Sequence, residues 1–171
     1  EGPVGIVESP PTRDHTERML AAFGYPVERN GSTVCVSDGG KLTATSIEVP
    51  ADISSAAFFM VGASIAPGSD LTLEHVGVNP TRTGVIDILR LMGANIDLIN
   101  QRQAGGELVA DIRVRHAGLT GIEIPVELVP LAIDEFPVLF VAAANARGVT
   151  VVRGAEELRV KESDRLAAMA G

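Results

Sequence analysis

Apolar residues recur at helical spacing in two similar stretches. "PTRDHTERMLAAFGYPVE" (11–28) carries Met19, Leu20 and Phe23, and "PTRTGVIDILRLMGANID" (80–97) carries Ile86, Leu89 and Met92. Each predicts a helix that faces a core on one side and stops at a glycine, Gly24 or Gly93, before a strand. Arg13 in the first stretch answers Arg82 in the second, so the pattern predicts a repeated unit. Alternating segments follow each helix, "TVCVSDGGKLTATSIEV" and "NIDLINQRQAGGELVADIRVRH". They predict hairpins that turn at Gly39-Gly40 and Gly105-Gly106, where glycine supplies positive φ. "DISSAAFFMVGASIAPG" (52–68) and "DEFPVLFVAAANARG" (134–148) each open on Asp, a good N-cap, and are apolar on every side for about three turns, which predicts buried helices. Short strands, "DLTLEHV" and "VTVVRG", come next. The cycle helix, hairpin, buried helix, strand thus runs about twice, and because it starts and stops midway the chain is expected to be part of something longer. A domain boundary is expected in "EHVGVNPTRTG", with 1–77 ending one domain and 78–171 opening another. Pro80 and Gly84 make "NPTRTG" a candidate hinge.

Composition narrows the function classes. At 171 residues and 46% apolar content, the chain can bury one substantial core or two modest ones. Aromatic content of 4%, no Trp and a net charge of −8 exclude the basic, aromatic face that nucleic-acid binding requires. Cys35 is the one cysteine and sits in a strand pattern, so it is expected to pack as a small hydrophobe, with no disulfide within the chain. "EGPVGIVES" has neither a basic n-region nor an apolar h-region, and no apolar run reaches the ~20 residues of a membrane span. A cytoplasmic setting is the expectation. His15, His75 and His116 lie far apart at spacings unlike zinc ligands, and no metal site is expected.

"RVKESDRLAAMA" (159–170) concentrates charge near the end of the chain. If "KESDR" opens a helix, Lys161 and Arg165 share a face with Glu162 beside them. One reading is a solvated first turn holding a local Glu-Arg pair worth ~0.2–0.5 kcal/mol. The other is an anion seat. Cations at a helix N-terminus oppose its dipole unless an anion joins them, and residues 147–165 hold five of the fourteen basic residues of an acidic chain. An anionic substrate fits better.

"RVKESDRLAAMA", "PADISSAAFFMVGASIAPGSDLTLEHVGVNPTRTG" and "IDEFPVLFVAAA" together resemble the 5-enolpyruvylshikimate-3-phosphate (EPSP) synthase family, in order and spacing and along essentially the whole chain. The resemblance implies an α/β (α+β) fold of repeated βαβαββ units around buried helices, here parts of two inside-out α/β barrel domains with the active site between them. It implies transfer of enolpyruvyl from phosphoenolpyruvate (PEP) to the 5-hydroxyl of shikimate 3-phosphate, with release of phosphate, no metal or organic cofactor, and a monomeric full enzyme. It implies Asp134 as general base, Glu162 as the acid that handles the PEP methylene proton, and Lys161 and Arg165 as anion contacts. Ser55, with Ser54 beside it, is implied to seat the 3-phosphate at a helix N-terminus. Phe58 and Glu157 replace a tyrosine and an asparagine found in some members, and those contacts are not carried over. Asp134 also reads as a plain N-cap, and Glu135 is unassigned. Arg13 and Arg82 either pin loops or face the cleft. The sister enzyme acting on UDP-N-acetylglucosamine is the nearest rival, and a non-catalytic fragment is another. With only half a site expected within it, the chain alone is expected to be inactive.

Overall fold

The computed structural model describes residues 2–8 and 12–170. β1 (Val4–Val7), α1 (His15–Ala22), β2 (Val27–Asn30) and β3 (Thr33–Val36) form a first unit, an antiparallel sheet in the order β1-β3-β2 with one helix. The strands are short, and among the described residues no side chain before Ile53 is fully buried. The first hairpin differs from expectation. β2 and β3 pair Asn30 with Thr33 around a two-residue turn at Gly31-Ser32, with Gly31 at φ +59, and residues 41–50 form no strand. Glycine at the first central position of a two-residue loop is a type II′ hairpin signal, and here it outcompetes the double glycine downstream. Gly40 serves packing instead: a Cβ there would lie 2.5 Å from the Tyr25 ring, whose hydroxyl donates to the Ser37 carbonyl at 2.8 Å. Cys35 sits on β3 opposite Gly5, half-buried.

The second unit holds the core. α2 (Ile53–Ile65) is capped by Asp52, whose carboxylate accepts from the backbone N–H of Ser54 and Ser55. β4 (Asp70–Gly77), β5 (Asn95–Ala104) and β6 (Glu107–Arg115) form an antiparallel sheet in the order β4-β6-β5, with the predicted turn at Gly105-Gly106. α2 and α3 (Gly84–Leu91) pack against this sheet, α4 (Phe136–Ala144) packs on both helices, and the buried apolar cluster is continuous from Ile53 to Leu158. Both bulges of the sheet, between Leu73 and Val76 and between Ile99 and Arg102, flank Asp111. They force His75 and Asn100 to φ +54 and +51. Asp111 holds both, accepting from the His75 N–H and from Asn100 Nδ2 at 2.8 Å each. The expected strand 149–153 contributes only an isolated bridge, Glu123 to Val151.

β4 pairs along β6 and α3 packs on the same core on either side of residues 77 and 78, while residues 41–50 form no strand. Two expectations need correction. α2 is not buried all round: Phe58 and Phe59 are 65% and 59% exposed, because nothing in the described chain covers that face. "NPTRTG" is cross-braced, not loose. The Asn79 carboxamide donates to Asp14 (2.7 Å) and Glu107 (3.1 Å) and accepts from the Thr81 N–H (2.9 Å) and hydroxyl (2.8 Å). No helix is long and apolar enough to cross a membrane.

Candidate active site

The charged segment is not a helix start at Lys161. Residues 156–159 make a 3-10 turn, 160–164 bend, and α5 (Arg165–Ala170) begins afterwards, with the Asp164 carboxylate accepting from the Ala167 N–H at 2.9 Å. Asp164 is the acid the helix dipole asks for, and it also pairs with Arg159 at 3.2 Å. Lys161 and Glu162 therefore project from the bend, which lets them face partners a helix could not offer together.

Those partners meet at Asp134. It precedes α4, whose cap position is Glu135, so Asp134 is not the N-cap and its carboxylate turns to other partners. Arg13 bonds one oxygen; on the other, Arg165 Nη1 lies at 3.4 Å and Lys161 Nζ at 3.8 Å. Arg165 turns its other edge to Glu162, Nε to Oε1 at 3.0 Å and Nη2 to Oε2 at 2.8 Å. Lys161 also pairs with Glu157. One guanidinium thus joins the two carboxylates, and three cations surround the first of them.

Electrostatics follow from this geometry. Burial pushes the Asp134 carboxyl up, but the Arg13 hydrogen bond and the charges of Arg13, Lys161 and Arg165 outweigh it and hold it below the ordinary aspartate value. Glu162 is exposed, and its Arg165 hydrogen bond keeps it below the ordinary glutamate value. Glu162 in turn raises Arg165. Asp134 stands between two open cavities. One, about 410 Å³, is lined by Thr12, Arg13, Thr81, Glu157 and Lys161; the other, about 340 Å³, by Ser54, Phe58, Glu162 and Arg165. A third cavity of about 330 Å³ is walled largely by Met19, Ile47, Val49, Pro50 and Ile53, and offers a phosphate little to hold.

Both serines have partners within the chain. The Ser55 hydroxyl donates to Asp52 at 3.1 Å, and Asp52 already takes the amide hydrogens of the helix N-terminus, so a carboxylate occupies the place where a phosphate was expected. Ser54 Oγ donates to Glu135 Oε1 at 2.5 Å and accepts from Arg82 Nη2 at 2.7 Å. Neither hydroxyl is free. Of the paired arginines, Arg13 faces the cleft and Arg82 pins elements together. Their recurrence in the repeat was the signal available. Glu135 and Asn79, both buried, carried none that a single sequence exposes. Each histidine has a partner at Nδ1: Glu107 for His15 (2.6 Å), Arg102 for His75 (2.8 Å) and the Ser64 carbonyl for His116 (2.9 Å), while the buried His75 Nε2 makes no hydrogen bond and lies 3.4 Å from Glu48 Oε1.

Two carboxylates bridged by a guanidinium, with two further cations and two cavities beside them, bring acid–base groups and positive charge together in a mixed α/β protein. Comparison with known proteins gives that class a family. The family described as EPSP synthase (3-phosphoshikimate 1-carboxyvinyltransferase) matches residues 1–171. A 3-phosphoshikimate 1-carboxyvinyltransferase of Alkalilimnicola ehrlichii is 71% identical over 165 residues, 96% of this chain and 37% of the relative. That of Methylococcus capsulatus is 68% identical over 170 residues, 99% of this chain and 39% of the relative. A solved structure of EPSP synthase from Acinetobacter baumannii superposes with a TM-score of 0.95 at 60% identity, covering 99% of this chain and 38% of that one. The chain belongs to the EPSP synthase family, and it spans about two fifths of the length of these relatives.

Proposed function

We propose that these residues form the acid–base part of an enzyme that transfers enolpyruvyl from PEP to the 5-hydroxyl of shikimate 3-phosphate. The observation that carries this reading is the Asp134–Arg165–Glu162 bridge with Arg13 and Lys161 around it. It is supported by relatives named for that reaction.

Asp134 takes the hydroxyl proton as the oxygen attacks C2 of PEP, while Glu162 gives a proton to the C3 methylene. Elimination reverses the second step: Glu162 removes a proton from the new methyl group, phosphate leaves C2, and the vinyl bond re-forms. The low pKa values of the unliganded site fit this sequence. Substrate phosphates and carboxylates compete with Asp134 and Glu162 for Arg13, Lys161 and Arg165. Once the cations turn to the substrate, both carboxyls rise toward values useful for proton transfer. Lys161 and Arg13 suit the phosphosugar, and the planar Arg165 suits PEP. The domain division is proposed within 37–50, and the 3-phosphate seat is proposed away from the Asp52-filled end of α2. No cofactor is invoked, and the whole enzyme is proposed to be a cytoplasmic monomer.

A chimera tests this: residues 1–171 replace the matching segment of the Methylococcus capsulatus enzyme, and phosphate release is followed with both substrates. Turnover is expected, with a loss of about 100-fold or more in Asp134→Asn and in Glu162→Gln. Asp134→Asn turning over at the parent rate overturns the reading.

A further inference from the structure

Glu135 has no place in the chemistry above, yet it is one of the few buried charged side chains, 3% exposed beside the proposed base. A buried carboxylate is costly unless paired, and an apolar residue would serve packing as well. Its partners come from two other elements. Ser54 Oγ, in the first turn of α2, donates to Glu135 Oε1; Arg82 Nη2, in the braced loop before α3, lies 3.6 Å from the same oxygen and 2.7 Å from Ser54 Oγ. Arg82 also reaches Asp52 Oδ1 at 3.7 Å. A second tie holds the other side of this segment: Gly84 approaches the Leu131 backbone so closely that a Cβ would lie 2.7 Å from its carbonyl carbon. Leu131 to Glu135, the stretch that carries Asp134, is therefore clamped by α2 and α3 together.

Asp134 itself has a different kind of support. Its partners are Arg13, Lys161 and Arg165, the cations that the substrates are expected to claim. When they turn away, nothing on its side chain fixes it, and its place is set by the backbone on which Glu135 is the next residue. We propose that Arg82, Ser54 and Glu135 form a positioning triad, which keeps Asp134 aimed at the substrate hydroxyl after its own ion pairs have exchanged. Glu135 acts through the first turn of α4 and touches no substrate. The inference rests on the reading of Asp134 as base.

The chimera described above provides the test, with Glu135→Gln, Arg82→Met and the double variant Arg82→Met/Glu135→Met. Each single change is expected to lower kcat by roughly 10- to 100-fold, as a displacement of about 1 Å would, with KM for either substrate within about threefold. The acidic limb of the kcat/KM profile, which reports the free enzyme in which Asp134 still faces Arg13, Lys161 and Arg165, is expected to move to higher pH, since a displaced carboxylate lies farther from those cations and titrates higher. The double variant replaces the buried carboxylate together with its partly buried cation, so its Tm is expected to return close to the parent's while kcat stays low. Should Glu135→Gln not fold, Ser54→Ala removes one hydroxyl and no charge, and is expected to show the same kcat loss and limb shift in smaller measure. Unchanged kcat and pH limb in the folded single variants, or recovery of kcat together with Tm in the double variant, overturns the proposal. Turnover surviving Asp134→Asn would instead indict the base assignment. Loss in Asp134→Asn with the triad variants untouched would indict the triad alone.

Discussion

Arg165 does two jobs that a lysine could not share. It presents one edge to Glu162 through two hydrogen bonds and another nitrogen to Asp134. A lysine keeps the charge but cannot hold two groups at fixed angles. Charge-assisted hydrogen bonds are worth about 1.5–3 kcal/mol each, which is roughly 10- to 150-fold in an equilibrium. Arg165→Lys in the chimera is therefore expected to raise KM for PEP at least about tenfold, with a smaller effect on shikimate 3-phosphate. Steady-state kinetics with each substrate varied in turn checks this; equal effects on both would place Arg165 between the substrates instead. Glu162 gives a second readout. Its carboxyl is held low chiefly by the Arg165 hydrogen bond, so in the lysine variant it is expected to titrate at higher pH, observable by carbonyl-labelled NMR.

The elements decide whether those side chains meet, and two of them make sharp predictions. α3 can start where it does because residue 84 has no Cβ. Gly84→Ala pushes a methyl group against the Leu131 backbone, which is not the end of a flexible side chain, and is expected to cost about 1–3 kcal/mol. Urea midpoints of the two proteins check that, and a neutral result would mean the 130–132 turn yields freely. In the second sheet, Asp111 serves two bulges at once. Its folded carboxyl lies below the ordinary aspartate value, because the His75 N–H and then Asn100 donate to it. The stability it adds is present above the unfolded pKa of about 3.9 and is lost as pH falls through the lower folded value. Asp111→Asn is expected to lower Tm at pH 7, and the gap to the parent is expected to narrow below about pH 4. Thermal melts across that range measure it. These sites also mark what a single sequence reveals. Helical spacing placed α1, α3 and the long apolar helices, and Gly105-Gly106 placed its hairpin, because those signals are local. The turn at Gly31 was equally local but lost to a longer glycine run. The Arg82–Ser54–Glu135 contact spans α2, α3 and α4, and no period or spacing reports a contact that depends on how three helices pack. Asp134, Glu162, Lys161 and Arg165 are singled out only by motifs that resemble a family; from charge alone, the segment 159–165 is equally a solvated turn. Ser54 and Ser55 read two ways for one reason, since hydroxyls and amides beside an Asp make a helix cap as readily as a phosphate site.

At the scale of the whole molecule, the net charge of −8 surrounds a local cluster of Arg13, Lys161 and Arg165, so the field of the protein does little to draw anions in and the site itself must do so. A second imbalance concerns apolar surface. Phe58 and Phe59 on α2 are more than half exposed, and Val149 and Val160 are 77% and 79% exposed, in a chain that spans about two fifths of its relatives' length. α2 has only three serines among its residues and no charged side chain to give to water, and adjacent exposed aromatic side chains drive association. The isolated chain is expected to self-associate in a concentration-dependent way, while the chimera, in which the relative supplies the remaining length, stays monomeric. Sedimentation equilibrium over a hundredfold range of concentration distinguishes the two. Phe58→Asp with Phe59→Asp is expected to shift the isolated chain toward monomer without lowering its Tm by more than a few degrees, since exposed positions cost little to change. If that double variant associates as strongly as the parent, the helix face is not the cause. If the parent is itself monomeric at every concentration, the exposed face is tolerated by this chain alone, and no covering partner is needed to keep it in solution.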